Sequence, residues 1–190
     1  MWQNLLRESS FFLLLLNFDQ DLAEEVRARG CPYCAGRLHG GGYQRKPRGA
    51  PADLPPEYER RESFCCSVCR KRVLPPSLRF FGRRVYLGPV FVVVSAMIHG
   101  ISEKRAAALR ELVGVSIRTL ARWRTWWRKS FPGTAFWKAA RARFAAPPDH
   151  QRLPASLLER FDQSEEGRGL FAALKFLLPL SGGSHWAMGR

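Results

Sequence analysis

Cysteines are the residues of this chain whose type and spacing point most directly to chemistry. Four of the five form two CxxC pairs, CPYC at 31–34 and CSVC at 66–69. Each pair can present two thiolates from one tight turn, and two such turns supply the four sulfur ligands that tetrahedral zinc prefers. Four sulfur ligands leave no open coordination position, so the pattern predicts a structural zinc site whose ligands are Cys31, Cys34, Cys66 and Cys69.

Other residues and interpretations keep the ligand set open. Cys65 adjoins Cys66 and could replace it, and His39 lies five residues beyond Cys34. The 31 residues between the pairs exceed the roughly 15 to 20 of a compact zinc ribbon, which indicates an inserted Gly- and Pro-rich loop at 40–56. The competing interpretations are thiols without a metal, or a redox dithiol. The redox motif normally opens a helix within a βαβ unit, and no such unit precedes the first pair.

Basic residues surround the second cysteine pair and predict contact with phosphate. Arginine and lysine beside a rigid turn suit this contact, because the turn limits where their charged groups can reach. The residues for which we expect it are Arg70, Lys71, Arg72, Arg83 and Arg84. Three aromatic residues are interleaved with these and with the further basic residues Arg60, Arg61 and Arg79. Phe80, Phe81 and Tyr86 either stack on unpaired bases or pack beneath the cysteine turns.

The positive charge of the chain is concentrated in its middle. With 31 Lys and Arg against 16 Asp and Glu, the chain has a net charge of +15. The net charge is −2 over 1–30, +8 over 31–87, +6 over 88–131 and +3 over 132–190. Such localisation favours a binding surface for a polyanion over a merely solvated basic surface. The 46% hydrophobic and 25% charged composition excludes wholesale disorder.

The same four segments are the predicted organisation of the chain. Segment 1–30 contains a packing helix at about 18–29 that ends at Gly30. Segment 31–87 is a loop-rich, zinc-ribbon-like basic module, 88–131 a helix-turn-helix, and 132–190 a C-terminal helical tail. The expected fold class is mainly α, with a small irregular or β zinc-ribbon-like module and a tri-helical helix-turn-helix domain.

The third predicted helix of the helix-turn-helix has two distinct faces. Ser116 is its expected N-cap, and the helix continues to about Lys129. At 100° per residue, one face carries Ile117, Leu120, Trp127 and Phe131. Another carries Arg118, Arg122, Thr125 and Lys129, and no acidic residue lies between Glu111 and Asp149 to pair with them. We expect Arg118, Arg122 and Thr125 to contact bases in the major groove and Lys129 to contact phosphate, with an ordinary solvated helix face as the alternative.

The residues around Gly114 resemble a helix-turn-helix unit. With Gly114 as the turn glycine, the positions that such motifs keep apolar fall on Leu109, Val113, Val115, Leu120 and Trp123, all of which are apolar. One position departs from the motif. A small residue is expected four places before the glycine, where this chain has Arg110, which indicates a variant tri-helical arrangement.

The combined motifs resemble a family of DNA-binding proteins. The sequences CPYC…CCSVCR, RFFGRRVYL, VGVSIRTLARWRTWWR and LPASLLERF are similar to zinc-ribbon and helix-turn-helix proteins of bacterial mobile elements, akin to the N-terminal DNA-binding part of insertion-sequence transposases. The resemblance covers about 20–162. It implies double-stranded DNA as the partner.

No catalytic centre is expected. A common transposase needs three carboxylates around two metal ions in a strand-rich fold, and the 59 residues after Phe131 are too few to build it. We therefore expect a cytoplasmic, zinc-containing, sequence-specific DNA-binding protein of a mobile element, not an enzyme and with no membrane partner. The alternatives are an accessory or truncated transposase subunit that acts with a catalytic partner, and an RNA- or single-strand-binding protein.

Overall fold

The structure is a computed structural model, and it describes residues 7–45, 50, 53–81, 107, 111, 114–161 and 168–182. The chain divides into two compact units. We call them the cysteine unit (8–47, 51–88 and 177–190) and the helical unit (1–7, 48–50 and 89–176). The prediction of a mainly helical chain with a small sheet is confirmed. Within the described ranges, no helix combines the length and the apolar content needed to cross a membrane.

The cysteine unit begins with helix α1, Ser9–Arg29, which ends at Gly30 with a φ of 79°. The predicted end is confirmed, but the helix begins nine residues before the expected 18. The extra turns come from the run FFLLLL, which is apolar at every position and therefore shows no helical period. Only tertiary packing decides which of these positions face the core: Phe12 and Leu15 are buried, while Leu14 is half exposed.

Short strands follow α1 and form two small sheets. Strands β1 (Leu38–Gly40), β4 (Phe64–Cys66) and β5 (Arg72–Val73) form an antiparallel sheet in the order β1-β4-β5. Strands β2 (Tyr43–Gln44) and β3 (Arg60–Arg61) pair antiparallel, and a 3₁₀ turn at Pro56–Glu59 leads into β3. The first sheet packs on the end of α1, in a small core of Ala23, Val26, Cys31, Leu38, Phe64, Cys66 and Val73.

The described part of the helical unit opens with helix α2, Ile117–Thr125, after Gly114 with a φ of 58°. Ser116 is its N-cap as predicted, because its side chain accepts a hydrogen bond from the Thr119 N–H at 3.3 Å. The helical backbone continues through a π turn at Trp126–Ser130 and a 3₁₀ turn at Phe131–Gly133. Two helices are predicted before α2, at about 89–98 and 103–113. The first lies outside the described residues, and of the second only Ala107 and Glu111 are described, both helical.

Short helical segments complete the described chain. They are α3 (Ala135–Ala140), α4 (Ala155–Leu158), α5 (Arg168–Leu177) and the 3₁₀ turns Arg141–Arg143, His150–Arg152, Glu159–Phe161 and Leu178–Leu180. Aromatic rings form the core of the helical unit. Phe131 is fully buried, with its ring centroid 4.7 Å from that of Trp127 and 4.9 Å from that of Trp137. The predicted apolar face of α2 is correct for Leu120, Trp127 and Phe131, but Ile117 is 45% exposed.

Candidate metal centre and basic surfaces

The structure brings the two predicted CxxC pairs together. The four sulfur atoms of Cys31, Cys34, Cys66 and Cys69 all lie within 4.8 Å of one another. The Cys31 and Cys69 sulfurs are 3.5 Å apart, as are those of Cys34 and Cys66. Zinc–sulfur bonds of about 2.3 Å in a tetrahedron place the sulfurs about 3.8 Å apart. The cluster therefore has the size that one tetrahedral metal ion requires, and the four cysteines could hold such an ion.

Both cysteine loops have the same backbone geometry. The Cys31 N–H donates to the Gly36 carbonyl at 2.9 Å, and the Cys66 N–H donates to the Lys71 carbonyl at 3.0 Å, five residues ahead in each case. The residue after the second cysteine of each pair is left-handed, with a φ of 56° at Ala35 and 60° at Arg70. A non-glycine residue in this region is uncommon. The left-handed residue occurs at the same place in both loops. The two CxxC turns therefore have the same backbone conformation, and each brings its two sulfurs to the same cluster.

A glycine lets the two loops approach each other. A Cβ atom on Gly36 would lie 2.9 Å from the Cys66 sulfur and 2.9 Å from a methyl group of Val68. Real Cβ atoms essentially never show contacts this short. Any larger residue at 36 would therefore push the first loop away from the second pair of sulfurs. The sequence marks this glycine only by its position two residues after Cys34.

Hydrogen bonds to sulfur favour a thiolate at Cys66. Burial raises the pKa of the Cys66 thiol, but hydrogen bonds from the backbone N–H groups of Cys69 and Val68 outweigh burial and lower the pKa to about 6. The Val68 N–H lies 3.4 Å from the sulfur. Hydrogen bonding by the Lys71 N–H lowers the pKa of Cys69, whereas burial and the neighbouring sulfurs raise it, to about 12. Four crowded sulfurs resist full ionisation, and a bound cation would supply the missing positive charge.

The sheet register separates Cys65 from the four-cysteine cluster. Cys65 pairs with His39 on β1 and with Arg72 on β5, while Cys66 pairs with the buried Leu38. Because side chains alternate along a strand, Cys65 faces away from the side on which Cys66 meets the other sulfurs. Cys65 and His39 both lie outside the four-residue cluster, which contains Cys66 instead.

Exposed cations lie beside the second loop as expected. Arg70, Lys71 and Arg72 are exposed, whereas Arg83 and Arg84 lie outside the described residues. Two tyrosines lie next to these cations, and the charge pattern of the sequence does not predict them. The Lys71 ammonium lies over the Tyr33 ring, 4.3 Å from its centroid, and the Arg72 guanidinium lies 5.5 Å from that of Tyr43. The position of Tyr33 inside a CxxC turn is the sequence signal that indicates its exposure.

Two neighbouring arginines are structural. Arg79 is 1% exposed, and its guanidinium donates to the Asp19 carboxylate at 2.8 Å and to the carbonyl oxygens of Tyr58 and Arg60. Arg61 is 3% exposed and donates to the carbonyl oxygens of Pro75 and Ser181. Burial lowers the pKa of Arg61, and the Asp19 charge opposes this. Both guanidinium groups are therefore engaged in hydrogen bonds inside the protein and are not available to an external phosphate.

The aromatic residues after β5 are also internal where the structure describes them. Phe80 is 2% and Phe81 is 9% exposed, while Tyr86 lies outside the described residues. Of the two alternatives for Phe80 and Phe81, packing inside the protein is therefore the one observed. The Arg61 guanidinium lies over the Phe80 ring at 5.9 Å.

The polar stripe of α2 faces solvent. Its members Arg118, Arg122 and Thr125 are all exposed, and so is Lys129 in the π turn that follows α2. On the other side of the helix, Leu120 and Trp123 are 0% and 2% exposed, and Val115 in the preceding turn is 3% exposed. Arg122 donates to the Thr119 hydroxyl at 3.4 Å. The side chains named for base contact therefore stand on a helix whose opposite face is anchored. Leu109, Arg110 and Val113 lie outside the described residues.

Comparisons with known proteins identify no relative. No protein-family model, no curated protein and no solved structure matches the chain.

Proposed function

We propose that this chain is a sequence-specific binder of double-stranded DNA, of the zinc-ribbon and helix-turn-helix kind found in mobile elements. The observation that carries the proposal is the exposed stripe of Arg118, Arg122 and Thr125 on α2, followed by the exposed Lys129 in the π turn. The three stripe residues at α-helical spacing fit the donors and acceptors at base edges in a major groove, and Lys129 fits a phosphate beside it.

The anchoring of α2 supports this role. A recognition helix has to enter the groove as a rigid body, since its side chains select a base only when their positions are fixed. Leu120 and Trp123 are buried on the opposite face of α2, as is Trp127 just after it, and Gly114, the expected turn glycine, has a φ of 58°. The apolar residues at 115, 120 and 123 belong to the set that such a motif keeps apolar.

Zinc is the proposed metal of the cysteine cluster. Four thiolates in a tetrahedron match the preference of Zn²⁺ and leave no position for a substrate, so the ion would be structural. Its role would be to cross-link two loops whose own core is too small to hold them. It would thereby fix Arg70, Lys71 and Arg72 beside the second loop, where they contact phosphate.

The test is selection of bound sequences from a random duplex DNA library, with zinc-loaded protein at about 0.15 M salt. A recovered motif supports the proposal. Arg118→Ala should then change the motif and cost about 1–3 kcal/mol on the preferred site, because a base contact is lost. Lys71→Ala should weaken all sequences alike and flatten the salt dependence.

The matched control is Lys138→Ala. Lys138 is an exposed cation on α3 of the same unit, outside the stripe, and its loss should leave the recovered motif unchanged. A featureless pool from the library, or equal losses on every sequence for Arg118→Ala and Lys71→Ala, would remove α2 from base recognition.

A further inference from the structure

The exposed Tyr33, the half-buried Tyr43 and three cations form a surface on the cysteine unit, whereas the polar stripe belongs to the helical unit. Lys71 lies over Tyr33 at 4.3 Å, and Arg45 and Arg72 lie 4.9 Å and 5.5 Å from the Tyr43 ring centroid. Arg45 also donates to the Tyr43 hydroxyl at 3.1 Å. We call these five residues the tyrosine–cation surface. Tyr33 is 43% exposed, and Lys71 and Arg72 are exposed.

Three chain segments build this surface. Tyr33 lies in the turn of the first cysteine loop, Tyr43 lies in β2, Lys71 immediately precedes β5, and Arg72 is the first residue of β5. Strand β5 is an edge of the sheet β1-β4-β5. The two tyrosine–cation pairs are thus joined through the adjacent residues Lys71 and Arg72 where this edge strand begins, and the loop that carries Tyr33 belongs to the cysteine cluster.

The charge of these segments selects an anionic ligand. Segments 31–45 and 64–81 contain no Asp or Glu, and in the described part of the chain they expose Arg37, Arg70, Lys71 and Arg72 beside the half-buried Arg45. A zinc ion held by four thiolates carries about two negative charges, fewer than these cations supply. Glu62, which follows β3, is paired with Arg60 at 3.2 Å. The surface therefore retains positive charge after the metal cluster has been neutralised.

Aromatic rings among cations favour single-stranded over duplex nucleic acid as the ligand. In a duplex the faces of the bases are covered by their neighbours, so an exposed tyrosine gains little from them. In a single strand each base can offer its face to a ring while the cations contact the backbone, and this combination of rings and basic groups is how sequence-tolerant single-strand sites are built. We propose that the tyrosine–cation surface binds single-stranded nucleic acid, with Tyr33 and Tyr43 stacking on bases and Lys71, Arg72 and Arg45 on the phosphates.

This site goes beyond the proposed duplex binding: it shares Lys71 and Arg72 with the proposed duplex phosphate contacts, but its tyrosines have no part in them. No residue of α2 contributes to the surface, so single-strand affinity should be unchanged in Arg118→Ala. A featureless duplex selection together with retained single-strand binding would remove the proposed function and leave this site standing.

The experiment measures fluorescence anisotropy of one labelled sequence as single-stranded DNA, as single-stranded RNA and as duplex DNA, titrated with the zinc-loaded full chain. Tyr33→Leu and Tyr43→Leu should each weaken single-strand binding at least about fivefold, the loss expected from removing one stacking ring. Their duplex affinity should stay within twofold of the unchanged protein, and Tyr33→Phe, which keeps the ring, should bind the single strand normally. A tighter complex with RNA would identify an RNA strand as the ligand, and an equal or tighter one with DNA an unwound DNA strand.

The control variant is Arg29→Ala, which removes an exposed cation of the same unit whose partner is Glu25 on α1. It should leave single-strand affinity unchanged. Zinc content is measured for each variant, and Tyr43 lies outside both cysteine loops, so Tyr43→Leu tests stacking even if Tyr33→Leu loses the metal. Single-strand affinity unchanged in Tyr43→Leu and in zinc-loaded Tyr33→Leu, or equal losses on single strand and duplex, would overturn the proposal.

Discussion

The two units of this chain are stabilised by different means. The helical unit relies on large aromatic side chains, with Phe131 enclosed by Trp127 and Trp137. The cysteine unit also buries aromatic side chains, among them Phe12, Tyr58 and Phe80, but around its two cysteine loops it has only strands of two or three residues and a small cluster in which Cys31 and Cys66 are members. That cluster alone buries too little apolar surface to fix the loops, so we expect the four sulfurs to do so.

Burial also divides the arginines within the cysteine unit. Arg61 and Arg79 are buried and donate to backbone carbonyls, whereas Arg70 and Arg72 are exposed, as are Arg118 and Arg122 in the helical unit. A count of basic residues therefore overstates the charge that the cysteine unit offers to a ligand. Net charge locates a basic segment, but burial decides which of its cations are available.

Removal of the proposed zinc ion should have the largest effect, and it should unfold the cysteine loops while leaving the helical unit intact. Structural zinc sites contribute about 10–16 kcal/mol of apparent binding free energy, which becomes folding free energy when the site forms only in the folded state. A chelator should therefore abolish amide protection against hydrogen exchange in 31–73. Protection around Phe131 and Trp137 should persist, because their packing contains no sulfur ligand. The measurement is hydrogen exchange by mass spectrometry on the full chain, before and after chelation and after zinc is restored. Equal loss of protection in both units would show that the units are not independently stabilised.

The buried ion pair predicts the next largest effect. Asp19→Asn leaves the Arg79 guanidinium buried without its counter-charge and should destabilise the cysteine unit by about 3–5 kcal/mol. The pair Glu25–Arg29 on the same helix provides the control, since both side chains are more than half exposed. Glu25→Gln should cost less than about 1 kcal/mol. Urea unfolding of the two variants measures the difference. Similar losses in both would mean that the Asp19 network contributes no more than an ordinary surface pair.

Local chemistry could be predicted from the sequence, whereas burial could not. The CxxC spacing fixes two sulfurs per turn, and the Ser116 cap and the Gly30 stop each depend on one residue's own preference. Nothing local distinguishes the buried Arg61 from the exposed Arg60, because their difference comes from the pairing of β2 with β3 and from the distant Ser181. Ile117 shows the same limit. It has the right helical spacing for the apolar face of α2, but it lies in the first turn and is 45% exposed.

A smaller effect is expected where the two cysteine loops meet. Gly36→Ala would place a methyl group 2.9 Å from the Cys66 sulfur, and relief of that contact should cost about 1–3 kcal/mol, or roughly 5- to 150-fold in zinc affinity. Gly40→Ala is the matched control, because a Cβ there meets nothing within 4 Å. Zinc affinity is measured by competition with a chromophoric chelator. If both alanine variants held zinc as the unchanged protein does, the close approach of the loops would not be needed for the site.

The smallest expected effect concerns the N-cap of α2, where one substitution can change DNA affinity without reducing the stability of the helix. Ser116→Ala removes the acceptor for the Thr119 N–H and should destabilise α2 by about 1 kcal/mol. Ser116→Asp keeps an acceptor and places a negative charge at the positive end of the helix, so stability should equal or exceed that of the unchanged protein. The same charge lies one turn or less from Arg118. Duplex affinity should therefore fall in Ser116→Asp although the helix is intact, and the deficit should shrink as salt is raised. Thermal unfolding and duplex titration at two salt concentrations measure both quantities. If the Ser116→Asp protein is more stable and binds duplex DNA as well as before, the start of α2 does not face the phosphates. DNA contact would then be limited to the residues after Arg122, namely Thr125 and Lys129.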